Sequence, residues 1–381
     1  MRGPSTVPPI LRPAIAAVAA AFLALMIAAP PGQAEALAVG SLSASGSPPG
    51  QSTSDGGVAE RQVTFEVINR NTSGVPCTSD GGSYLVHGTL VAPPSGLAGA
   101  KLGAITVYVH GYNVAGWMWN FKAIPGFDYA AAMAQRGHVS LVLDRLGYLP
   151  SGQPDGMQAC FGAEADVLHQ VLQRLRAGSY GVQEGAPEPF RTIVTAGQDV
   201  GGLISEIEAY SYKDVDGLAL LGWADQGYTP DVFRWSAEVV SLCGEGGQPA
   251  EQGGPGGYVR FIQSDEEIRT KAFPYADPAV VDAVFSMIVK NPCGDFESVI
   301  PAVNIDLARV HEIDVPVLNL YPDHDLVITP EGYELQALNF APGTDVTTIG
   351  IQGGHFPMLE TSPSKVFQAD VSDWLNSKGF N

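Results

Sequence analysis

The sequence has few basic residues. Its 381 residues include 20 Lys and Arg against 40 Asp and Glu, which gives a formal net charge of −20 at pH 7. Proteins that bind nucleic acids or anionic membrane surfaces need a basic footprint, so this balance argues against both kinds of partner. Charged residues make up 16% of the chain and apolar residues 45%. The composition therefore excludes a disordered chain and predicts a large apolar core.

Cysteines and long apolar runs are also scarce. Four cysteines are too few for a small scaffold held together by many disulfides, although their even number allows two bridges. Residues 14–29 form an apolar stretch, but it is shorter than the ~20 residues needed to cross a bilayer. No other stretch is long and apolar enough, so we expect no membrane span after removal of the N-terminal segment.

The N-terminus predicts export. Arg2 and Arg12 precede or flank the start of the apolar stretch, and small residues follow it as far as Ala34. This is the three-part pattern of a secretory signal. We predict a signal peptide over residues 1–34 and a secreted protein, in the extracellular, periplasmic or cell-wall space. A membrane anchor is the alternative, which the short apolar stretch disfavours.

The rest of the chain is organised as a leader, a core and an insertion. Residues 35–61 are rich in Ser, Gly and Pro and predict a flexible leader. Apolar strand-like runs then alternate with helical patterns, which predicts an α/β fold with a mostly parallel central sheet and helices on both faces. Residues 62–222 and 314–381 form this core. Residues 223–313 interrupt the alternation and predict a cap over the carboxyl edge of the sheet, where open α/β sheets bind ligands.

Chemistry-bearing motifs follow the strands in a fixed order. They are His110-Gly111, Asp144-Arg145-Leu146-Gly147, Gly197-Gln198-Asp199-Val200-Gly201-Gly202, Asp325, and Gly353-Gly354-His355-Phe356-Pro357. With the insertion between the third motif and Asp325, this order resembles the α/β-hydrolase family over nearly all of residues 62–381. The resemblance implies the α/β-hydrolase fold, with a nucleophile on a strained turn between a strand and a helix.

The resemblance also assigns catalytic roles. Asp199 occupies the nucleophile position, where the family usually has Ser, and His355 is the base. Asp325 is the preferred acid, and Asp323 is the alternative. No metal and no cofactor are expected, because the run Asp323-His324-Asp325 lacks further ligands.

The oxyanion hole and the substrate contacts are assigned in the same way. Backbone N–H groups of Val200 and Tyr112 are the expected oxyanion donors. The candidate substrate contacts are His110, Asn113, Trp223 and Phe356. An apolar pocket and a small apolar substrate, still unidentified, are suggested by Tyr112, Trp117, Trp119, Trp223 and Phe356.

An aspartate nucleophile changes the expected reaction. A carboxylate is a poor nucleophile towards an ester carbonyl, but it displaces a leaving group at saturated carbon and forms an alkyl-enzyme ester. This resembles epoxide hydrolases and haloalkane dehalogenases. Val200 stands where a dehalogenase has the Trp that holds the halide, so an epoxide is the preferred substrate, and Tyr228, Tyr258 and Tyr275 are candidates to protonate its oxygen. Epoxide hydrolases tend to have proline where this chain has Tyr112-Asn113.

Two alternatives remain. The motifs around residues 117–119 and 144–147 look like those of secreted serine esterases and lipases. On this interpretation, Asp199 replaced an ancestral Ser. The protein would then be a pseudo-enzyme that binds a ligand with altered or lost catalysis. A haloalkane dehalogenase is the second alternative.

The cysteines suggest one of three pairings. Cys243 and Cys293 both lie in the insertion, and a bond between them would close the cap on itself. Cys77 and Cys160 would then join the N-terminal edge to the loop that follows Asp144. Export into an oxidising compartment makes both bonds plausible.

Overall fold

The computed structural model describes residues 58–93, 103–183 and 185–381. The expected signal peptide, residues 1–34, lies outside the described residues, as does the expected leader up to residue 57. Residues 59–61 are not leader, because they already belong to the first strand and pair with residues 90–92 of the second.

Nine strands form the main sheet. In chain order they are β1 (Ala59–Ile68), β2 (Ser83–Ala92), β3 (Ala104–Val109), β4 (Ser140–Leu143), β5 (Gly181–Val182), β6 (Thr192–Gln198), β7 (Gly217–Leu221), β10 (Val317–Pro322) and β11 (Val346–Ile351). The spatial order is β11-β10-β7-β6-β3-β4-β2-β1-β5. A separate pair, β8 (Tyr258–Val259) and β9 (Asn291–Pro292), is antiparallel.

Eight helices accompany these strands in the described residues. They are α1 (Tyr129–Gln135), α2 (Phe161–Ala177), α3 (Val200–Tyr212), α4 (Pro230–Gly244), α5 (Pro278–Phe285), α6 (Cys293–Arg309), α7 (Pro330–Asn339) and α8 (Pro363–Ser377). A helical turn at Asp265–Glu267 continues as a π-helix at Ile268–Ala272. Four of the helices, α4, α5, α7 and α8, begin with Pro at the first turn, where its missing N–H costs nothing.

The central strands are buried as the sequence predicts. Every residue of β3, β4 and β7 is buried, and the six strands from β11 to β4 run parallel. Helices must cover both faces of such a sheet, because neither face has the polar side chains that tolerate water. β1 and β2 form the antiparallel edge and alternate in burial more than the centre does. The predicted fold class is confirmed.

The segment expected to be a cap, residues 223–313, lies between β7 and β10, which are neighbours in the sheet. It contains α4, the β8–β9 pair, α5 and α6. Its last helix also packs on the core: Ser298 of α6 accepts a hydrogen bond from the N–H of Phe161 at 3.1 Å, and Arg309 donates to the carbonyl of Tyr210 at 3.2 Å. The C-terminal part of the segment therefore belongs to the helical layer on the sheet.

Both suggested disulfides are present. Cys77 bonds to Cys160 and Cys243 bonds to Cys293, with Cα–Cα distances of 6.2 Å and 5.6 Å. Cys160 lies just before α2, and Cys293 is the first residue of α6. Among the described residues, no helix has the length and apolar content needed to span a bilayer.

Candidate active site

The turn between β6 and α3 has strained backbone geometry at Asp199. Its φ is 52° and its ψ is −135°, a region that residues with a side chain rarely occupy. The turn closes only because its neighbours are small: a Cβ on Gly197 would lie 2.1 Å from the carbonyl oxygen of Gly201. A Cβ on Gly201 would lie 2.4 Å from the carbonyl oxygen of Val109. The sequence therefore presents Asp199 at the carboxyl edge of the sheet.

Backbone N–H groups hold the Asp199 carboxylate. The N–H of Tyr112, which follows β3, donates to Oδ2 of Asp199 at 3.0 Å. Burial raises the pKa of Asp199 above its ordinary value, and His355 together with the N–H groups of Tyr112 and Val200 offsets part of that rise. The two expected oxyanion donors thus both act on the Asp199 carboxylate.

His355 is oriented by Asp325. The Nδ1 atom of His355 lies 3.0 Å from both carboxylate oxygens of Asp325, whose side chain is fully buried. Asp325 is held in turn by the N–H of Val327 at 2.6 Å and by the hydroxyl of Tyr333 at 2.7 Å. The imidazole is therefore fixed by a carboxylate that has its own donors.

Asp323, the alternative acid, lies elsewhere. Its carboxylate is 45% exposed and contacts His324 at 2.7 Å and the N–H of Gly353 at 3.0 Å. It makes no contact with His355, so the geometry favours Asp325 as the acid.

The other ring nitrogen of His355 faces Asp199. His355 Nε2 lies 4.0 Å from Asp199 Oδ2, beyond hydrogen-bond distance. Burial lowers the pKa of His355, but the charges of Asp325 and Asp199 outweigh it and raise the pKa overall. With Nδ1–H donated to Asp325, Nε2 carries the lone pair that can take a proton from water.

Gln198 is a site residue that the sequence analysis missed. Its amide nitrogen lies 3.2 Å from His355 Nε2 and 3.2 Å from the carbonyl oxygen of His355. Gln198 is fully buried and directly precedes Asp199. The motif contains this position, but nothing in it shows that the side chain turns towards the histidine. Tyr333 was missed for a similar reason, since it reaches Asp325 from α7.

A cavity of about 240 Å³ opens beside Asp199. The lining is mostly apolar: α6 contributes Phe296, Val299, Ile300 and Val303, and α4 contributes Val232, Phe233 and Ser236. A second space of about 20 Å³ lies on the side of His355 and Phe356. Elements of the 223–313 segment therefore form much of the wall opposite the sheet.

The four candidate substrate contacts separate into two groups. Trp223 lines the larger cavity and Phe356 the smaller one. His110 lines neither, because it is fully buried with its ring between the N–H of Arg145 and the carbonyl of Gly111. Asn113 borders the smaller space, but its side-chain oxygen accepts from the N–H of Phe261 and from Asn291. The structure thus gives His110 and Asn113 positions that support the loops.

Only one of the three candidate tyrosines lines the cavity. The Tyr228 hydroxyl is buried without a hydrogen-bond partner among the described residues, and burial followed by the charges of Asp225 and Asp199 raises its pKa well above the ordinary value. Tyr258 donates to the carbonyl of Pro154 at 2.9 Å, and Tyr275 contacts His324 at 3.1 Å. Of the three tyrosines, Tyr228 is therefore the one that lines the same cavity as Asp199.

Solved structures share this architecture. A thermophilic esterase from Thermogutta terrifontis has a TM-score of 0.55 at 19% identity, over 82% of this chain and 98% of that one. A monoacylglycerol lipase from Paleococcus ferrophilus gives 0.53 at 16%, over 72% and 94%. An enol-lactonase from Burkholderia xenovorans also gives 0.53 at 16%, over 77% and 97%. The sequence matches no family model and no curated protein. These likenesses show that the chain has the α/β-hydrolase fold.

Proposed function

We propose that this chain is a secreted hydrolase in which Asp199 is the nucleophile, His355 the base and Asp325 the acid. The observation that carries the proposal is a carboxylate at the strained turn, with one oxygen held by the Tyr112 N–H and with His355 4.0 Å away. The preferred substrate is a small apolar epoxide. The pocket walls support this choice, since they offer apolar surface around a single nucleophile.

In the first step, the free carboxylate oxygen of Asp199 attacks a carbon of the epoxide ring. The ring C–O bond breaks, and its electron pair goes to the oxygen, which takes a proton from the Tyr228 hydroxyl. Tyr228 is supported in this role because it lines the same cavity as Asp199 and because its hydroxyl has no hydrogen-bond partner among the described residues. The product of the step is an ester between Asp199 and the opened substrate.

In the second step, His355 Nε2 removes a proton from water, and the hydroxide attacks the ester carbon of Asp199. Negative charge develops on the oxygen that already lies against the N–H of Tyr112, so the donor needs no rearrangement. Collapse releases the diol alkoxide, which takes the proton from His355, and leaves Asp199 as a carboxylic acid. Asp199 then loses its proton and the Tyr228 phenolate takes one up, which restores both groups. One epoxide and one water become one diol.

Val200 supports an epoxide over a halide. A dehalogenase needs a donor such as the indole N–H beside its nucleophile to hold the departing halide, and the Val200 side chain offers none. Esters are disfavoured by the nucleophile itself, because the adduct of a carboxylate with an ester collapses back to the starting materials. The esterases and lipase that share the fold do not decide the chemistry of this chain.

Export and the cap are part of the proposal. Two disulfides need an oxidising compartment, which supports secretion after removal of residues 1–34. The segment 223–313 supplies cavity walls from α4 and α6, which supports its role as a cap over the substrate.

A single turnover in oxygen-18 water tests the mechanism. With enzyme in excess over a small apolar epoxide, we expect unlabelled diol as the product and label in the peptide that contains Asp199. Label in the diol would show direct attack of water on the substrate and would contradict the proposal.

Two variants sharpen the test. Asp325→Asn should slow ester hydrolysis by several orders of magnitude, by analogy with the loss of a histidine-orienting acid in a triad. Asp323→Asn is the matched control and should stay within a few fold of wild type. Absence of turnover with any epoxide, alkyl halide or ester, together with unchanged ligand binding by His355→Ala, would favour the pseudo-enzyme instead.

A further inference from the structure

Three carboxylic acids meet behind the wall of the larger cavity. Glu206 lies on α3, Asp225 follows β7, and Asp306 lies on α6, and all three are fully buried. One carboxylate oxygen from each lies within 4.8 Å of the others. We call these residues the acidic cluster. The acidic cluster joins α3, which follows Asp199, to α6, the last helix of the inserted segment.

The acidic cluster has more acceptors than donors. The oxygens of Glu206 accept from Gln336 at 2.8 Å and from the Trp223 indole at 2.9 Å. Both carboxylate oxygens of Asp225 and both of Asp306 have no hydrogen-bond partner among the described residues. Unsatisfied buried oxygens are costly, so four in one place require an explanation.

A further polar group points into the same space without a partner. Tyr210 is 1% exposed, and its hydroxyl has no hydrogen-bond partner in the described part of the chain. Burial raises its pKa, as do the charges of Asp306, Glu206 and Asp225. A hydroxyl oxygen beside three carboxylates adds a neutral ligand to the set.

No ion pair in the described residues neutralises the acidic cluster. Arg309, at the end of α6, pairs with Glu312 instead. Three buried carboxyl groups side by side are stable either when they share protons or when a cation replaces those protons.

The ligand type and the burial favour calcium over magnesium. Calcium binds carboxylate oxygens at about 2.3–2.6 Å in flexible geometries. Magnesium demands a near-octahedral geometry and retains several of its waters, which suits a fully buried group of three carboxyl groups less well. One oxygen of each acid lies within 4.8 Å of the others, so a single ion can contact all three.

We propose that Glu206, Asp225 and Asp306 bind one calcium ion, with the Tyr210 hydroxyl beside it. The ion fixes α3, the loop after β7 and α6 relative to one another. It therefore positions Trp223 and Val303, which line the cavity on the other side of the same elements. This departs from the sequence-based expectation of no metal, and it does not depend on the reaction that Asp199 performs.

A second acidic group provides an internal comparison. His169 lies 2.8 Å from Asp214 and 3.8 Å from Glu208. Burial lowers the pKa of His169, but the two carboxylates outweigh it and raise the pKa to about 9. The imidazolium already supplies positive charge there, so this group needs no metal ion. Glu208 lies on the same helix as Glu206, and both are fully buried.

The experiment measures metal content and thermal stability of the full exported protein. Protein is dialysed against EDTA or against millimolar calcium chloride, and bound calcium is measured by mass spectrometry beside the melting temperature. For wild type we expect one calcium ion per chain and a melting temperature several degrees higher in calcium than in EDTA. Terbium, a luminescent substitute for calcium, should emit on excitation of tryptophan, since Trp223 contacts Glu206.

The variants locate the ion. Asp306→Asn and Glu206→Gln keep the side-chain shape and should lose the bound calcium, the calcium-dependent rise in melting temperature and the terbium emission. In EDTA, Asp306→Asn should melt at or above wild type, because it removes one of three neighbouring buried carboxyl groups. Glu208→Gln is the matched control and should retain both calcium and the temperature shift.

Three results would overturn the proposal. The first is wild-type protein without bound calcium and without a calcium-dependent melting temperature, which would mean that the acids share protons. The second is loss of the ion in Glu208→Gln but not in Glu206→Gln. The third is an equal response to magnesium. The wild-type measurement decides the first outcome even if a variant fails to fold.

Discussion

Two backbone N–H groups act on Asp199 before any substrate arrives. In a serine enzyme of this fold, such donors wait for the oxygen of the substrate carbonyl. Here the Tyr112 N–H already binds Oδ2 at 3.0 Å. The carboxylate cannot rotate freely, so its other oxygen is held in position for attack. An Asp in place of the usual Ser at the turn thus gives the same backbone N–H groups a different acceptor.

The two proposed chemical steps should separate with pH. Alkylation needs an ionised Asp199, whereas ester hydrolysis needs a neutral His355. The pKa of His355 is raised above its ordinary value, so the base is lost as pH falls through that raised value. The imidazolium formed in the same range favours the ionised form of Asp199. We expect the alkyl-enzyme ester to accumulate when the pH lies below the raised pKa of His355 and to disappear when the pH lies above it.

Intact-protein mass spectrometry after rapid quenching detects this ester. His355→Gln should accumulate the ester at every pH at which Asp199 is ionised, because it lacks the base and retains the nucleophile. Asp199→Asn should form none. Diol formation without a detectable ester in His355→Gln would argue against the covalent mechanism.

At the residue scale, the sequence predicts which residues lie near the site better than it predicts where their side chains point. Asp199, Asp325 and His355 were identified because each follows a strand in a recognisable order, and the structure brings them together. Gln198 lies within the same motif, but its contact with His355 depends on how the strained turn directs the side chain. His110 was assigned to the pocket, although the packed Arg145 backbone encloses it.

At the scale of elements, a buried ion network joins three parts of the chain. Arg145 follows β4, Glu164 lies on α2 and Asp295 lies on α6. The guanidinium donates to Glu164 at 2.6 Å and to Asp295 at 2.8 Å, and all three side chains are at most 3% exposed. The network contains two acids and one base, so both carboxylates depend on Arg145 for charge compensation.

Arg145→Met should destabilise the protein by about 3–5 kcal/mol at neutral pH, because it leaves two buried carboxyl groups without a cation. Burial raises the pKa of both acids, and Arg145 offsets part of that rise. Without the arginine, the two buried acids must bind protons in the folded state. The loss in free energy of unfolding relative to wild type therefore grows as pH rises above the ordinary carboxyl range and shrinks towards pH 4.

Urea unfolding at several pH values measures this effect. Lys122→Met removes an exposed pair with Glu60 and should cost less than about 1 kcal/mol at any pH. Equal losses for the two variants would show that the buried network has no special role.

Strands were easier to predict than the helices of the insertion. Strand β3 is one of the apolar strand-like runs that the sequence shows, since a fully buried strand is apolar at nearly every position. Helix α6 was not predicted, and it contains Pro301, which argues against a helix interior. Helix α6 packs between α2 and the cavity, and this packing compensates for the backbone hydrogen bond that Pro301 removes. A single sequence does not reveal such packing.

At the scale of the whole molecule, both disulfides lie near the starts of two neighbouring helices. Cys160 precedes α2 and Cys293 begins α6, and a Cβ on Gly294 would lie 2.0 Å from the carbonyl oxygen of Ala159. One bond fixes the N-terminal edge of the sheet there. The other bond fixes α4. The two covalent links therefore meet where the core and the insertion are in contact.

Replacing Cys243 and Cys293 together by Ser should lower the free energy of unfolding by about 4 kcal/mol, because the bond closes a loop of 50 residues. Urea unfolding of oxidised protein measures the loss. Wild type under full reduction should lose more, since it also loses the bond between Cys77 and Cys160. An unchanged midpoint in the double variant would show that the insertion is held by packing alone.

The order of the cysteines also bears on biosynthesis. In a chain exported from its N-terminus, Cys77 and Cys160 reach the oxidising side before Cys243 and Cys293. Each native bond joins two consecutive cysteines. On the proposed export, an oxidase that joins thiols in their order of emergence would make both native bonds directly, and no isomerase would be needed to reshuffle mispaired intermediates.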